Sequence, residues 1–330
     1  MCRYDPGGFT DRTHYSMNPS QECSRHGGPL SASAIAPRTR INRTTRWAAA
    51  PLAAATAVLA LAASPARAQA AKPAGAPPPV ATWIGARSIP WPTGNTAIGP
   101  LKTQRVFYPS ALPARYSASQ CASLPAGVMC VISYKTPGTN VASFVKSIPA
   151  SRPVMMIFHH EPEGGDFASG AQFVSEFESQ SDLIRSAAAA AGLTNVQVAM
   201  AAGTYQYQPG KAGTNCSYIP PAHYVDHYTA DVYQPRLGGL QNRSGFVRWR
   251  ACTQGLGRSR GVTEYGLGSC SGAASRQQTM AADAVYLRSA FPHLYLLEYW
   301  WVDDSNVGPC RNWKFTDQAT ISEWRSARGW

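Results

Sequence analysis

Eight short runs of mostly apolar residues recur along the chain beyond residue 82, at 83–86, 104–108, 128–134, 154–160, 196–202, 225–233, 261–265 and 294–301. Their short length and continuous apolar character suit strands buried on both faces. Between several of them the pattern shifts to the helical period. Val141, Phe144, Val145 and Ile148 follow the i, i+3, i+4, i+7 spacing of one helix face. A longer helical stretch covers 168–191, with Gly192 as its stop, and another covers 275–290. Segments 87–103 and 109–127 are rich in Pro and Ser and read as largely loop. Strands alternating with helices predict a parallel sheet covered on both faces. A single block of about 250 residues, with no internal linker or repeat, has the size of a (β/α)₈ TIM barrel. The competing architecture is a doubly wound open sheet, yet no G-x-G-x-x-G or P-loop follows the first strand.

Ahead of this block the pattern is of another kind. Arg38, Arg40, Arg43 and Arg46 precede an uncharged Ala- and Leu-rich run over 47–64, and Ala66-Arg67-Ala68 follows it. This is the order of a secretory signal, so 38–68 is expected to be removed. Residues 1–37, polar and without periodicity, read as unstructured or as a start codon set too early. Residues 69–81 are a Pro/Ala-rich tether, and the catalytic-sized block is 82–330. The run 47–64 is the one stretch near membrane-spanning length, so the mature chain is expected outside the cell with no stable membrane association.

Composition sharpens this picture. Lys and Arg number 30 against 18 acids, a net charge of +12. Eight of those basic residues fall within the first 68, and the remainder is scattered, so no dense basic patch points to nucleic acid. Of eight cysteines, Cys121, Cys130, Cys216, Cys252, Cys270 and Cys310 belong to the main block. An even number in an exported chain predicts three disulfides, with Cys121–Cys130 the pair closest in sequence.

In a barrel the active site is built at the C-terminal strand ends. Those ends carry His159-His160-Glu161-Pro162-Glu163 on the fourth run, Tyr205 after the fifth, and Asp231-Val232-Tyr233 on the sixth. The seventh presents Thr263-Glu264-Tyr265-Gly266 and the eighth Tyr299-Trp300-Trp301. Acids and aromatics together suit cleavage of a sugar polymer, with two carboxylates for the chemistry and ring faces for the pyranoses.

Here the sequence resembles the family-26 glycoside hydrolases, the β-mannanases and their relatives, within the retaining clan built on (β/α)₈ barrels. His160-Glu161 resembles that family's His-Glu pair, and Thr263-Glu264-Tyr265-Gly266 its strand-seven nucleophile motif. The resemblance implies Glu161 as general acid/base, with His160 beside it, and Glu264 as nucleophile. It implies that Tyr233 hydrogen-bonds the nucleophile and that Trp300 or Trp301 floors the cleavage subsite. Where the family carries an Arg shortly before the pair, this chain has Ile157-Phe158. The expected protein is a secreted monomer that acts on a β-linked polysaccharide, β-mannan-like first, and requires no cofactor and no metal.

Other readings stay open on the residues alone. Glu163, only two positions from Glu161, is the rival acid and otherwise a rim or sugar-contacting residue. Tyr205 is a further candidate for the cleft. Glu298, inside an apolar run, is a paired structural acid or a reserve nucleophile, since an unpaired charge there is costly. A non-catalytic glycan-binding barrel and a metal-dependent polysaccharide hydrolase or deacetylase are the alternatives of other classes. Against the metal stands the absence of any H-E-x-x-H spacing.

Overall fold

The computed structural model describes residues 83–87, 91–138, 140–291 and 293–326, so the segments read as leader and tether lie outside the described residues. Eight parallel strands close into a barrel in chain order. They are β1 (Trp83–Arg87), β2 (Thr103–Tyr108), β3 (Met129–Tyr134), β4 (Val154–Phe158), β5 (Val196–Gly203), β6 (His227–Gln234), β7 (Ser259–Leu267) and β8 (Leu294–Trp300). Each falls on one of the eight apolar runs. The fourth ends two residues earlier than expected, a difference that shapes the site.

Three helices lie where the period places them: α2 (Asn140–Lys146), α3 (Gly170–Ala190) and α5 (Gly272–Ala290). Gly192, at φ +68°, takes the left-handed conformation that stops α3. Three others differ from the sequence reading. Helix α1 (Trp91–Ile98) occupies part of 87–103, expected to be loop; Pro92 sits in its first turn, where the missing N–H costs nothing, and Ile98 is buried. Helices α4 (Ser244–Thr253) and α6 (Gln318–Ser326) bury Phe246, Trp249, Ile321 and Trp324 on one face each. The arginines interleaved in α4 hide that stripe from a reading of periodicity.

Two strand-to-strand connections lack an α-helix, and each is stapled. Between β2 and β3 there are only short 3₁₀ turns (Tyr116–Ala118 and Gln120–Ser123), and Cys121–Cys130 ties the second of them to β3. Between β5 and β6 the chain makes three more such turns, and Cys216–Cys252 ties this loop to α4. The third disulfide, Cys270–Cys310, joins the loop after β7 to the loop after β8. Cross-links of this kind contribute about 2–4 kcal/mol each, so they substitute for packing that the missing helices would supply. Thiol titration of the mature protein under denaturing, non-reducing conditions is expected to find none of these six cysteines free. Two or more reactive thiols would contradict the pairing.

The barrel interior is chemically lopsided. Met129, Val131, Met155, Ile157, Ala199, Ala201 and Leu296 form an apolar plug contributed largely by β3, β4 and β5. Across from it, β2, β6, β7 and β8 turn Thr103, Arg105, Thr229, Asp231, Thr263, Glu264 and Glu298 into the buried interior. The helices cover the outer faces of the strands through a second, larger apolar layer. Among the described residues no helix is long and apolar enough to cross a membrane.

Candidate active site

Strand alternation alone would put Thr263 inside and Glu264 outside. A β-bulge prevents this. Asp231 on β6 pairs with Glu264 while its predecessor Ala230 pairs with Val262, so β7 carries one extra residue at Thr263. The pairing with β8 shifts over the same stretch. Bulges re-aim side chains, and here both Thr263 and Glu264 face the interior while Tyr265 returns to the outer layer. Thr263 Oγ1 donates to Asp231 Oδ1 at 2.7 Å.

Arg105 is the hub of this layer, 1% exposed. Its Nη1 lies 2.9 Å from Asp231 Oδ1 and 3.0 Å from Glu264 Oε1, and it donates to the Thr263 carbonyl at 3.1 Å. Nη2 reaches Asp231 Oδ2 at 3.4 Å, and Nε donates to Ser133 Oγ at 3.1 Å. Burial alone would weaken the guanidinium, but Asp231 and Glu264 outweigh it and push its pKa up. Glu298 adds to that field, and its Oε1 accepts from Thr103 Oγ1 at 2.6 Å. Asp231 and Glu264 are thus paired with one buried guanidinium, and pairing is what makes buried charge tolerable.

The Tyr233 hydroxyl donates to Glu264 Oε2. Its ring meets Trp300 edge-on at 5.8 Å and Trp313 at 5.2 Å. Both indole N–H groups donate to one oxygen of Asp304, at 3.1 and 3.0 Å. Phe107, the next inward residue of β2 after Arg105, has the guanidinium 4.6 Å from its ring. Phe107 also contacts His160 at 4.9 Å and Trp300 at 6.4 Å, both edge-on. An aromatic wall therefore runs from β4 through β2 and β8 to β6.

The turn after β4 is strained. His159 and Glu161 both sit at φ +52°, the left-handed region that costs a non-glycine residue about 1–2 kcal/mol. Such conformations persist where surrounding contacts impose them, and they concentrate at functional sites. The strain splits the two histidines. His159 turns into a buried pocket against Phe158 and Phe167, near Asp166, where burial and then Lys135 push its pKa down to about 4. His160 turns toward Phe107 instead. Glu161, half-buried, lays its carboxylate over Gly203: a Cβ there would meet Glu161 Oε1 at 3.0 Å, so a side chain at 203 would push the carboxylate aside. Gly203 pairs with Asp231, and Asp231 with Glu264, which sets both acids on one rim of adjoining strands.

The remaining candidates lie as follows. Glu163 is buried and accepts from the Gly203 N–H at 3.2 Å; burial pushes its carboxyl up to about 8, with Glu161 adding in the same direction. Trp301 points away from Trp300, donating to the Phe315 carbonyl at 3.1 Å on the outer layer. Tyr205 is 59% exposed, with Lys211 4.8 Å over its ring. Arg105, Phe107 and Trp313 were not singled out by the sequence, although inward parity with Thr103 marks the first two. Among the described residues no cluster of three or more His, Cys, Asp or Glu has metal-binding geometry.

No protein-family model matches the chain, and no curated protein does. Solved structures match it in fold. The chain is 10% identical to GH26C from a Muricauda species, with a TM-score of 0.50 over 75% of this chain and 85% of that one. It is 15% identical to a GH128 (subgroup I) endo-β-1,3-glucanase from Amycolatopsis mediterranei in complex with laminaritriose, with a TM-score of 0.44 over 74% and 99%. It is 12% identical to a Cellulomonas fimi endo-β-1,4-mannanase double mutant, with a TM-score of 0.43, covering 62% of this chain and 54% of that chain's length. At these identities the likeness is one of fold, a closed barrel of parallel strands wrapped by helices.

Proposed function

We propose that this chain is a retaining glycoside hydrolase that cleaves a β-linked polysaccharide by double displacement. The observation that carries the reading is two carboxylates on one rim in unlike settings. Glu264 is held by Arg105 and the Tyr233 hydroxyl, a setting that favours the ionised, nucleophilic form. Glu161 sits half-buried on a strained turn over Gly203, directly after His160, the place that the motif resemblance gives to the proton donor. In this mechanism Glu161 protonates the departing glycosidic oxygen while Glu264 attacks the anomeric carbon. Once Glu264 is esterified its charge is gone, and Glu161 then takes the proton of the incoming water. Trp300, partly exposed at the end of β8, supplies the ring for the sugar, while Phe107 packs between it and His160, the neighbour of the acid.

The substrate assignment, β-mannan-like first, rests on the motif resemblance around Glu161 and Glu264. A β-1,3-glucan belongs in the same test, as one of the fold relatives is a glucanase. The export pattern of 38–68 and the three disulfides support action outside the cell. The deciding experiment is release of reducing ends from a panel of β-mannan, β-1,3-glucan, xylan and cellulose. Saturable glycan binding with no cleavage would favour a non-catalytic barrel, and loss of activity on chelation would favour a metal-dependent hydrolase. Proton NMR of the first-formed product is expected to show net retention. Retention requires carboxyl groups about 5–5.5 Å apart, whereas inversion leaves roughly 6.5–9.5 Å for a water. An inverted first product would overturn the covalent step while leaving hydrolysis intact.

A further inference from the structure

The double displacement gives Glu163 no task, yet its surroundings are specialised. It lies in the one-turn helix Pro162–Gly164 and is 3% exposed. Its Oε2 accepts from the N–H of Gly203, the same glycine over which the Glu161 carboxylate is packed. Among the described residues, the titratable groups acting on it are acidic or neutral: Glu161 from its own turn, Tyr207 from the turn after β5 and Tyr218 from the loop before β6. The first turn of α3, the other element against this helix, brings no charge of either sign. A carboxylate in such a place would be a desolvated anion with no cation among these groups to offset it, which is the costly arrangement; the neutral acid is not. Burial accordingly pushes the Glu163 carboxyl up to about 8.

We propose that Glu163 is a positioning residue that works as an uncharged acid, tying the strained turn that carries Glu161 to the end of β5. This rests on Glu161 being the proton donor. The tie adds to the backbone bond that the Glu161 N–H donates to the Ala201 carbonyl at 2.9 Å: the strand-end glycine meets Glu163 through its N–H and the Glu161 carboxylate where a Cβ would stand. Ionisation of Glu163 would place a desolvated charge against the strand end and loosen the grip.

The sign of the pH effect follows from proton binding. A carboxyl whose pKa is raised by folding contributes stability that is complete below its unfolded value, about 4.3, and is lost as pH rises through about 8. Glu163→Gln keeps the shape and polarity but has no proton to lose. Its melting temperature, relative to the parent, is therefore expected to climb by roughly 5–10 °C between pH 5 and pH 8 and then level off. A difference that stays flat across that range would overturn the uncharged acid. This arm needs no substrate, so it stands or falls apart from the glycosidase reading. The second arm is kinetic. Glu163→Ala, which cuts the tie, is expected to lower kcat by about tenfold to a hundredfold with little change in KM, and Glu163→Gln to recover most of that loss. Should Glu163→Gln instead be as inactive as Glu161→Gln, Glu163 is the proton donor and its positioning role is overturned.

Discussion

Glu264→Gln is expected to remove nearly all turnover, and Glu161→Gln to lower it by about 10²–10⁴-fold, while both variants melt close to the parent. The two losses should differ in kind. Glutamine at 264 cannot form the covalent ester, so the first bond is never made whatever the leaving group. Glutamine at 161 removes only the proton delivered to the departing oxygen. A substrate whose leaving group departs without protonation, such as a nitrophenyl glycoside, should therefore regain much of the first step in Glu161→Gln and none in Glu264→Gln. Glu161 then becomes visible in the second step, where it serves as base, and the covalent intermediate should accumulate as a burst. Equal losses on both classes of substrate would mean that Glu161 donates no proton. A larger loss in Glu163→Gln than in Glu161→Gln would move the acid to the buried position.

Much of this architecture was legible in the sequence because parallel strands buried on both faces leave continuous apolar runs, and all eight strands fall on such runs. The acids at the fourth and seventh strand ends were legible for the same reason, as charged residues directly after buried ones. What escaped was whatever depends on parity or on distant partners. The bulge at Thr263 turns Glu264 inward, against simple alternation. Two left-handed residues send His159 and His160 to opposite sides of a turn, not of a strand. Arg105 reads as an isolated charge in the run 104–108, since its partner Asp231 is 126 residues away. A guanidinium does reach the site, but from β2, where no local motif announces it. Connectivity of the cysteines escaped as well beyond Cys121–Cys130, because the other two staples span 36 and 40 residues.

Arg105→Met should be the most disruptive single change to the site, because it removes a cation and leaves its partners behind. Asp231, Glu264 and Glu298 are all buried and all lie in the field of that guanidinium. Stranding buried carboxylates typically costs about 3–5 kcal/mol, well above the loss of the pair itself. For a domain of this size that corresponds to a fall of roughly 10 °C in melting temperature. The deficit should shrink as pH is lowered, since protonating a stranded carboxyl relieves the repulsion; loss of packing alone would not vary with pH in this way. Turnover should fall beyond what the instability explains, because Glu264 loses the contact at 3.0 Å that opposes its protonation and fixes its oxygens. Arg105→Lys separates the two effects. An ammonium supplies the charge but cannot span Asp231 in two-pronged fashion while also reaching Glu264 and the Thr263 carbonyl. The Lys variant should therefore recover stability more fully than turnover. If Arg105→Met melts with the parent at every pH and turns over within a few-fold of it, the three acids are not organised by this residue, and the electrostatic account of the nucleophile falls with it.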